Sequence, residues 1–96
     1  MKLLRPYAVY WLDPAGSRND SDVEPVPSVT VGFIVDQDEH RIKLASEVGW
    51  DAQDKELEGR EYTAIQRAVI FAIKPLPRLQ NPQVVFDEAR RRSGAA

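Results

Sequence analysis

The residues with the clearest capacity for chemistry surround the only histidine of the chain. Asp36, Asp38 and Glu39 lie just before His40. A catalytic triad would need a serine and an acid that converge on the imidazole, and the local sequence indicates no such arrangement. A calcium-binding loop would continue with a further oxygen ligand and a glycine, whereas those positions hold His40 and Arg41. We therefore predict a solvated turn here, and no catalytic residue, metal site or cofactor.

Three aromatic residues near the N-terminus offer a different chemistry. Tyr7, Tyr10 and Trp11 fall within one apolar run. On an exposed sheet, such rings can stack against the bases of a single-stranded nucleic acid. The same rings also suit packing in a core or at a sheet edge. Both roles are open from the sequence.

Charge is distributed unevenly along the chain. The net charge is −2, but residues 1–59 carry 6 basic and 12 acidic side chains (net −6), and residues 60–96 carry 7 basic and 3 acidic ones (net +4). A weakly acidic total argues against a protein whose whole surface binds nucleic acid. A basic patch in the last third could still contact phosphates or an acidic partner. The candidate contacts there are Arg60, Arg67, Lys74, Arg78, Arg90, Arg91 and Arg92.

A β-hairpin over residues 27–49 is the strongest structural signal. Alternation places two sets of apolar residues on one face, which we expect to form the core. These residues are Val29, Val31, Phe33 and Val35 on the first arm, and Ile42 and Leu44 on the second. Residues 36–40 form the polar turn. Gly32 interrupts the first arm, which predicts a bent strand or the close approach of another backbone.

Before the hairpin, the pattern indicates a strand and a long loop. Residues 7–12 are all apolar or aromatic, which is typical of a strand covered on both faces. Residues 13–27 are polar, acidic and interrupted by proline. A connection of this length is usually either functional or disordered, and both alternatives are open.

After the hairpin, two segments have competing interpretations. Residues 50–59 fit either a short helix capped by Asp51 or a long loop. Residues 60–76 favour a strand, a single turn and a second strand, although one helix over residues 62–73 also fits. On the second strand, alternation places three residues on one face: Val69, Phe71 and Ile73.

The C-terminal segment predicts a short helix. Asn81 can act as its N-cap, Pro82 suits the first helical position, and the arginines near its end suit the helix dipole. Its only apolar face consists of Val85, Phe86 and Ala89. We expect a small β domain over residues 1–80, with its long polar loop at 13–27, followed by an amphipathic helix and a frayed tail over residues 81–96.

Composition narrows the protein class further. A chain of 96 residues suits a single domain. The absence of cysteine excludes disulfides, thiolate metal sites and a thiol nucleophile. The apolar run near the start is short for a signal peptide, and no run reaches the roughly 18 residues of a membrane span. We expect a cytoplasmic protein without a membrane partner.

With these elements assigned, two stretches resemble a known architecture. VTVGFIVDQDEHRIKLAS followed by YTAIQRAVIFAIKPL is similar in outline to the small five-stranded barrels of the SH3-like and Sm-like kind. The resemblance spans residues 6–76, and it implies a bent second strand and a last pair of strands split by one turn. Val9-Tyr10-Trp11-Leu12-Asp13 and Val31-Gly32-Phe33 also resemble segments of small uncharacterised bacterial and phage proteins. Ring assembly and RNA binding are possibilities that the Sm-like resemblance raises.

The expected function is that of a non-enzymatic interaction module, of prophage or accessory-gene type. We expect it to present sheet edges and aromatic positions to another protein or to its own copy, as a homo-oligomer. The edge candidates are the first strand and the strand over residues 69–73. The alternative is an Sm-like barrel that binds nucleic acid through the basic last third. Neither hypothesis involves a small-molecule substrate.

Overall fold

The protein is mainly β. The computed structural model describes residues 3–14 and 24–93, and within these ranges seven strands precede one helix. In chain order the elements are β1 (Leu3–Leu4), β2 (Tyr7–Asp13), β3 (Val26–Gln37), β4 (Arg41–Asp51), β5 (Glu56–Gln66), a 3₁₀ turn (Arg67–Val69), β6 (Ile70–Pro75), β7 (Leu79–Gln80) and α1 (Pro82–Arg92).

Five strands form one antiparallel sheet in the order β5-β4-β3-β2-β6, and β1 pairs separately with β7. β5 and β6 lie at the two ends of the sheet and do not pair with each other in the described part of the chain. The sheet is therefore not closed, and the barrel expected from the sequence is not confirmed. β6 is an edge strand as predicted, but the prediction for the first strand is wrong, because β2 lies between β3 and β6.

β3 changes its partner at Gly32. Residues 26–32 pair with β2, whereas residues 33–37 pair with β4. Gly32 is buried, and a Cβ atom at this position would lie 2.6 Å from the carbonyl oxygen of Ala45. The predicted close approach of another backbone is confirmed. Glycine is required here because any side chain would displace β4.

The core lies between β2, β4 and β5. Its centre consists of Val9, Ile42, Leu44 and Ile65, each at most 3% exposed, and four partly buried residues pack around it: Trp11, Ile34, Val69 and Ile70. The assignment of Ile42 and Leu44 to the core is confirmed. These apolar side chains come from segments that are distant in sequence, so the core depends on the pairing of the strands.

The predicted core face of β3 is wrong. Val29 and Val31 are each 51% exposed and Val35 is 44% exposed, while Phe33 is half-buried. Thr30 faces inward instead, because it pairs directly with the buried Val9 of β2. Alternation along one strand defines two faces, but the pairing with the neighbouring strand decides which face meets the core.

Residues 50–59 form neither of the predicted structures. β4 continues to Asp51, a turn occupies residues 52–55, and β5 begins at Glu56. The Asp51 side chain accepts hydrogen bonds from the backbone N–H groups of Gln53 (2.9 Å) and Asp54 (3.2 Å). Aspartate makes the same local bonds at a helix N-cap and in a turn, so the residue type alone did not distinguish them.

The strand, turn, strand interpretation of the following segment is confirmed, and the single helix is excluded. One detail is wrong: Phe71 and Ile73 do not share a face. The pairing of β2 with β6 shifts between Tyr10, opposite Ala72, and Trp11, opposite Ile70, so Phe71 is the extra residue of a bulge. Such a bulge re-aims side chains.

α1 begins as predicted. The Asn81 side chain accepts a hydrogen bond from the Gln83 backbone N–H (2.8 Å), and Pro82 takes the first helical position. The loop expected over residues 13–27 is shorter than predicted, because β2 includes Asp13 and β3 begins at Val26. Residues 15–23 of this loop and the tail residues 94–96 lie outside the described residues. No helix in the described ranges is long and apolar enough to cross a membrane.

The bend of β3 gives a test of this arrangement. We expect Gly32→Ala to lower the free energy of unfolding by about 1–3 kcal/mol, because the new methyl group overlaps the Ala45 carbonyl. Val31→Ala, at the neighbouring exposed position, should change it by about 0.5 kcal/mol or less. Urea unfolding followed by circular dichroism measures both. Equal effects of the two substitutions would contradict the assigned faces of β3.

Candidate interaction surface

An aromatic pair, the half-buried Tyr10 and the exposed Phe71, lies beside the free edge of β6. The rings of Tyr10 and Phe71 are 6.2 Å apart between centroids, with an interplanar angle of 44°. The Lys74 ammonium lies 5.6 Å from the centroid of the Tyr10 ring, within the range of a cation–π interaction. Phe71 is 57% exposed. These three side chains make the outer face of β2 and β6 both aromatic and cationic.

The apolar surface continues from this pair across β2 to β3. Val29 lies directly opposite Tyr10, and Val31 lies opposite Ala8. Leu12, on the same face of β2 as Tyr10, is 41% exposed. Three adjacent strands thus carry neighbouring exposed apolar side chains. Contiguous apolar surface of this kind is more typical of an interaction site than of an ordinary solvated face.

The structure separates the three aromatic residues that the sequence grouped together. Trp11 packs against the core, and its indole N–H donates a hydrogen bond to the Thr30 hydroxyl (3.0 Å). Tyr7 is half-buried between Gly32 and Pro75 on the adjacent strands. Only Tyr10, which is half-buried as well, contacts the exposed ring of Phe71. Tyr7 and Trp11 therefore do not lie with Tyr10 on one exposed surface that could stack against the bases of a nucleic acid.

An open groove of about 310 Å³ lies where β5 leads into the 3₁₀ turn. Its lining consists of Trp11, Pro14, Ala64, Ile65, Gln66 and Val69. None of these side chains is charged, so the groove offers contact area but no acid, base or nucleophile.

Two of the predicted basic contacts already bind within the chain. The Arg67 guanidinium donates to the Asp38 carbonyl oxygen (2.6 Å) and to the Gln37 side-chain oxygen (2.7 Å). Arg60 pairs with Glu58 (3.4 Å) and Glu47 (4.0 Å). Arg67 thereby holds the turn after β3 against the 3₁₀ turn, and Arg60 is surrounded by acidic side chains.

The remaining basic candidates lie in the C-terminal part of the chain. Arg78 is exposed on the connection between β6 and β7. Arg90, Arg91 and Arg92 form the exposed last turn of α1, where the guanidinium of Arg90 lies 5.5 Å from the ring centroid of Phe86. The structure thus places Lys74 beside Tyr10 and groups the three helix arginines together.

The most important residue that sequence reasoning missed is Phe71. Alternation places Phe71 on the same face as Ile73, but the bulge turns it to the other face, towards Tyr10. The exposed Val29 and Val31 were assigned to the core. No local sequence signal indicates the outward position of Phe71 or of the two valines, because these positions depend on how β2 pairs with β3 and β6.

The turn around His40 is stabilised by hydrogen bonds between a side chain and backbone N–H groups. The Asp38 carboxylate accepts hydrogen bonds from the backbone N–H groups of His40 (2.7 Å) and Arg41 (2.9 Å). These two bonds, that of His40 first, lower the pKa of Asp38 below the ordinary value of an aspartate. The His40 side chain is 83% exposed, and its Nε2 atom lies 3.3 Å from Oε1 of Glu39. The polar residues here stabilise a hairpin turn.

Comparisons with protein-family models, with curated proteins and with solved structures found no match.

Asp38 gives a prediction about pH. Because its pKa is lowered on folding, its carboxylate contributes stability that is fully present at neutral pH and is lost as the pH falls through the lowered pKa. Asp38→Asn keeps the acceptor oxygen but removes the charge. We expect this variant to have a lower Tm than the native chain at neutral pH, and the gap to close as the pH falls to about 2. A gap that does not vary with pH would contradict the role of the charge.

Proposed function

We propose that this chain is a non-enzymatic interaction module that receives a β-strand, from a protein partner or from a second copy, along the free edge of β6. The observation that carries the proposal is the position of the exposed Phe71, in contact with Tyr10, directly beside that edge. A partner strand on β6 would lie next to the ring of Phe71.

The chemistry of strand addition supports this proposal. β6 pairs with β2 on one side only in the described part of the chain, and none of its residues is buried. The backbone groups on its other side can bond to an added strand, and adjacent side chains then select the partner. Phe71 and Lys74 are the side chains of β6 that fit this selecting role, one through apolar contact and one through charge.

The sheet order supports self-association. β5 and β6 are the two free edges of one sheet, so β5 of one copy can add to β6 of the next. Such a contact joins two different surfaces and produces a ring or an open filament. We propose that the five strands, with β3 bent at Gly32 and one turn between β5 and β6, belong to the SH3-like or Sm-like class of small barrel. The bend of β3 and the single turn between β5 and β6 support that assignment.

Phe71→Lys tests the proposed edge. We expect concentration-dependent protection of amides 70–74 from hydrogen exchange in the native chain. The substitution should weaken that association about tenfold or more, because it places a charge where the added strand packs. Leu79→Lys is the matched control, since Leu79 is 51% exposed but lies on β7. If Phe71→Lys and Leu79→Lys behave alike, β6 is not the contact.

The second candidate function is binding of single-stranded nucleic acid. The Tyr10–Phe71 pair with Lys74 favours it, because a base could stack on an aromatic ring there and a phosphate could contact the ammonium group. The measurement is fluorescence anisotropy with a single-stranded RNA. If this candidate is correct, affinity falls steeply as salt is raised, and Tyr10→Ala reduces it at every salt concentration. Strand addition to β6 predicts neither result.

A further inference from the structure

The backbone groups of β6 point alternately toward β2 and away from it. One residue beyond the last pair of these two strands, the Leu76 N–H donates a hydrogen bond to the Pro6 carbonyl oxygen (2.9 Å). In an antiparallel ladder, residues that bond to the neighbouring strand alternate with residues whose N–H and C=O groups point to the opposite side. Lys74 therefore directs its backbone groups to β2, whereas Ile73 and Pro75 direct theirs to the free edge.

Between the bulge and its C-terminal end, the free edge of β6 offers one complete pair of donor and acceptor. Ile73 presents both its N–H and its C=O there, while Pro75 has no N–H and presents a C=O alone. Ile73 lies opposite the fully buried Val9, so its side chain is on the side of the sheet that meets the core, which we call the core face. Ile73 is still 39% exposed, because no strand covers this edge in the described part of the chain.

β5, the other free edge of the sheet, has the reverse arrangement. One residue beyond its last pair with β4, the Arg67 N–H donates to the His40 carbonyl oxygen (2.8 Å). By the same alternation, Tyr62 and Ala64 direct their backbone groups to the free edge. The side chains of both are on the outer face, because they alternate along β5 with the buried Ile65. Free backbone groups thus belong to outer-face residues on β5 and to core-face residues on β6.

This difference constrains how two copies can pair. Residues that exchange bonds in an antiparallel ladder lie opposite each other, and their side chains share a face. Antiparallel pairing of β5 with β6 of another copy would join the outer face of one sheet to the core face of the other. Two β6 strands avoid this mismatch, because the same residues carry the free backbone groups in both. Parallel addition of β5 would also match the faces, but a parallel ladder is slightly less stable per residue.

We propose that the strand received at β6 is β6 of a second copy, paired antiparallel about a two-fold axis at Ile73. This pairing rests on the proposed addition of a strand to β6, for which it specifies the partner. The Ile73 N–H of each copy donates to the Ile73 C=O of the other, so the free groups of this residue bond to each other. On the core face the two Ile73 side chains are neighbours and cover each other. A two-fold contact uses the same edge of both copies, so the pairing of β6 closes at a dimer.

The position of the axis follows from the residues beside Ile73. With the axis at Ile73, Lys74 lies opposite Ala72 of the second copy. An axis at Lys74 would place two ammonium groups opposite each other, and like charges in that position repel. An axis at Pro75 would leave no N–H to donate at its centre. Toward the N-terminus of β6, the bulge at Phe71 interrupts the regular ladder.

Disulfide cross-linking tests this register, because the chain has no cysteine of its own. One variant carries Ala72→Cys and the other carries Lys74→Cys. In the proposed ladder these two positions lie opposite each other with Cα atoms about 4.5 Å apart, whereas two copies of either position lie diagonally, about 7–8 Å apart. A disulfide requires Cα atoms within about 7 Å. Under mild oxidation, the mixture should therefore give at least about tenfold more covalent dimer than either variant alone.

Two further cysteine variants are the controls. Thr63→Cys lies on β5, so its cross-link to Ala72→Cys measures the pairing of β5 with β6. Leu79→Cys replaces an exposed residue of β7 and should cross-link neither to Ala72→Cys nor to Lys74→Cys. Circular dichroism verifies that each variant is folded. Light scattering on the native chain should show a dimer as concentration is raised.

Three results would overturn the two-fold pairing. The first is a native chain that stays monomeric at every concentration. The second is a mixture that gives no more covalent dimer than either folded variant alone. The third is a stronger cross-link of Ala72→Cys to Thr63→Cys than to Lys74→Cys, which would make β5 the partner.

Hydrogen exchange separates this pairing from the addition of a strand to β6 in general. If amides 70–74 become protected with concentration but the mixture gives no cross-link, strand addition at β6 stands and a second β6 is rejected as the added strand. If neither protection nor a cross-link appears, self-association at β6 fails together with the two-fold pairing.

Discussion

The close approach of Gly32 to the Ala45 carbonyl is the contact on which the rest of the sheet depends. Because position 32 has no side chain, β3 can leave β2 and continue along β4. This exchange of partners brings Val9 of β2 to Leu44 of β4 in one core. A straight β3 would keep the two strands on opposite sides of a flat sheet, and their apolar side chains would not converge.

The same bend determines which side of β3 remains in water. Once Thr30 lies opposite Val9, Val29 and Val31 must face outward, however apolar they are. The side chain of Tyr10 on β2 lies on this outer face, and the bulge in β6 adds Phe71 to it. The exposed apolar surface is therefore a consequence of how the core is built. A monomer cannot hide it by rotating single side chains.

Local chemistry made part of this fold predictable from the sequence. Asn81 followed by Pro82 indicates a helix start, since the cap bonds involve only neighbouring residues. Gly32 indicated the close approach of another backbone, because the absence of a side chain is likewise a local property of the sequence. The inward side of β3, the central place of β2 and the outward turn of Phe71 were not predictable, because each depends on a strand distant in sequence. Asp51 shows that local hydrogen bonds do not always identify the element that contains them. Its carboxylate accepts the expected bonds, but they stabilise a hairpin turn instead of a helix start.

The small core links the stability of the fold to the proposed association. The largest fully buried side chains in the described residues are Ile42, Leu44 and Val9. Complete burial of a valine, leucine or phenylalanine contributes about 1.5–3 kcal/mol, and the half-exposed Val29, Val31, Phe71 and Phe86 forgo much of it in the monomer. A partner that covers them adds this free energy to the folded state alone, because the unfolded chain offers no such surface. Pairing at β6 would stabilise the fold through backbone hydrogen bonds and apolar contact, which salt barely affects.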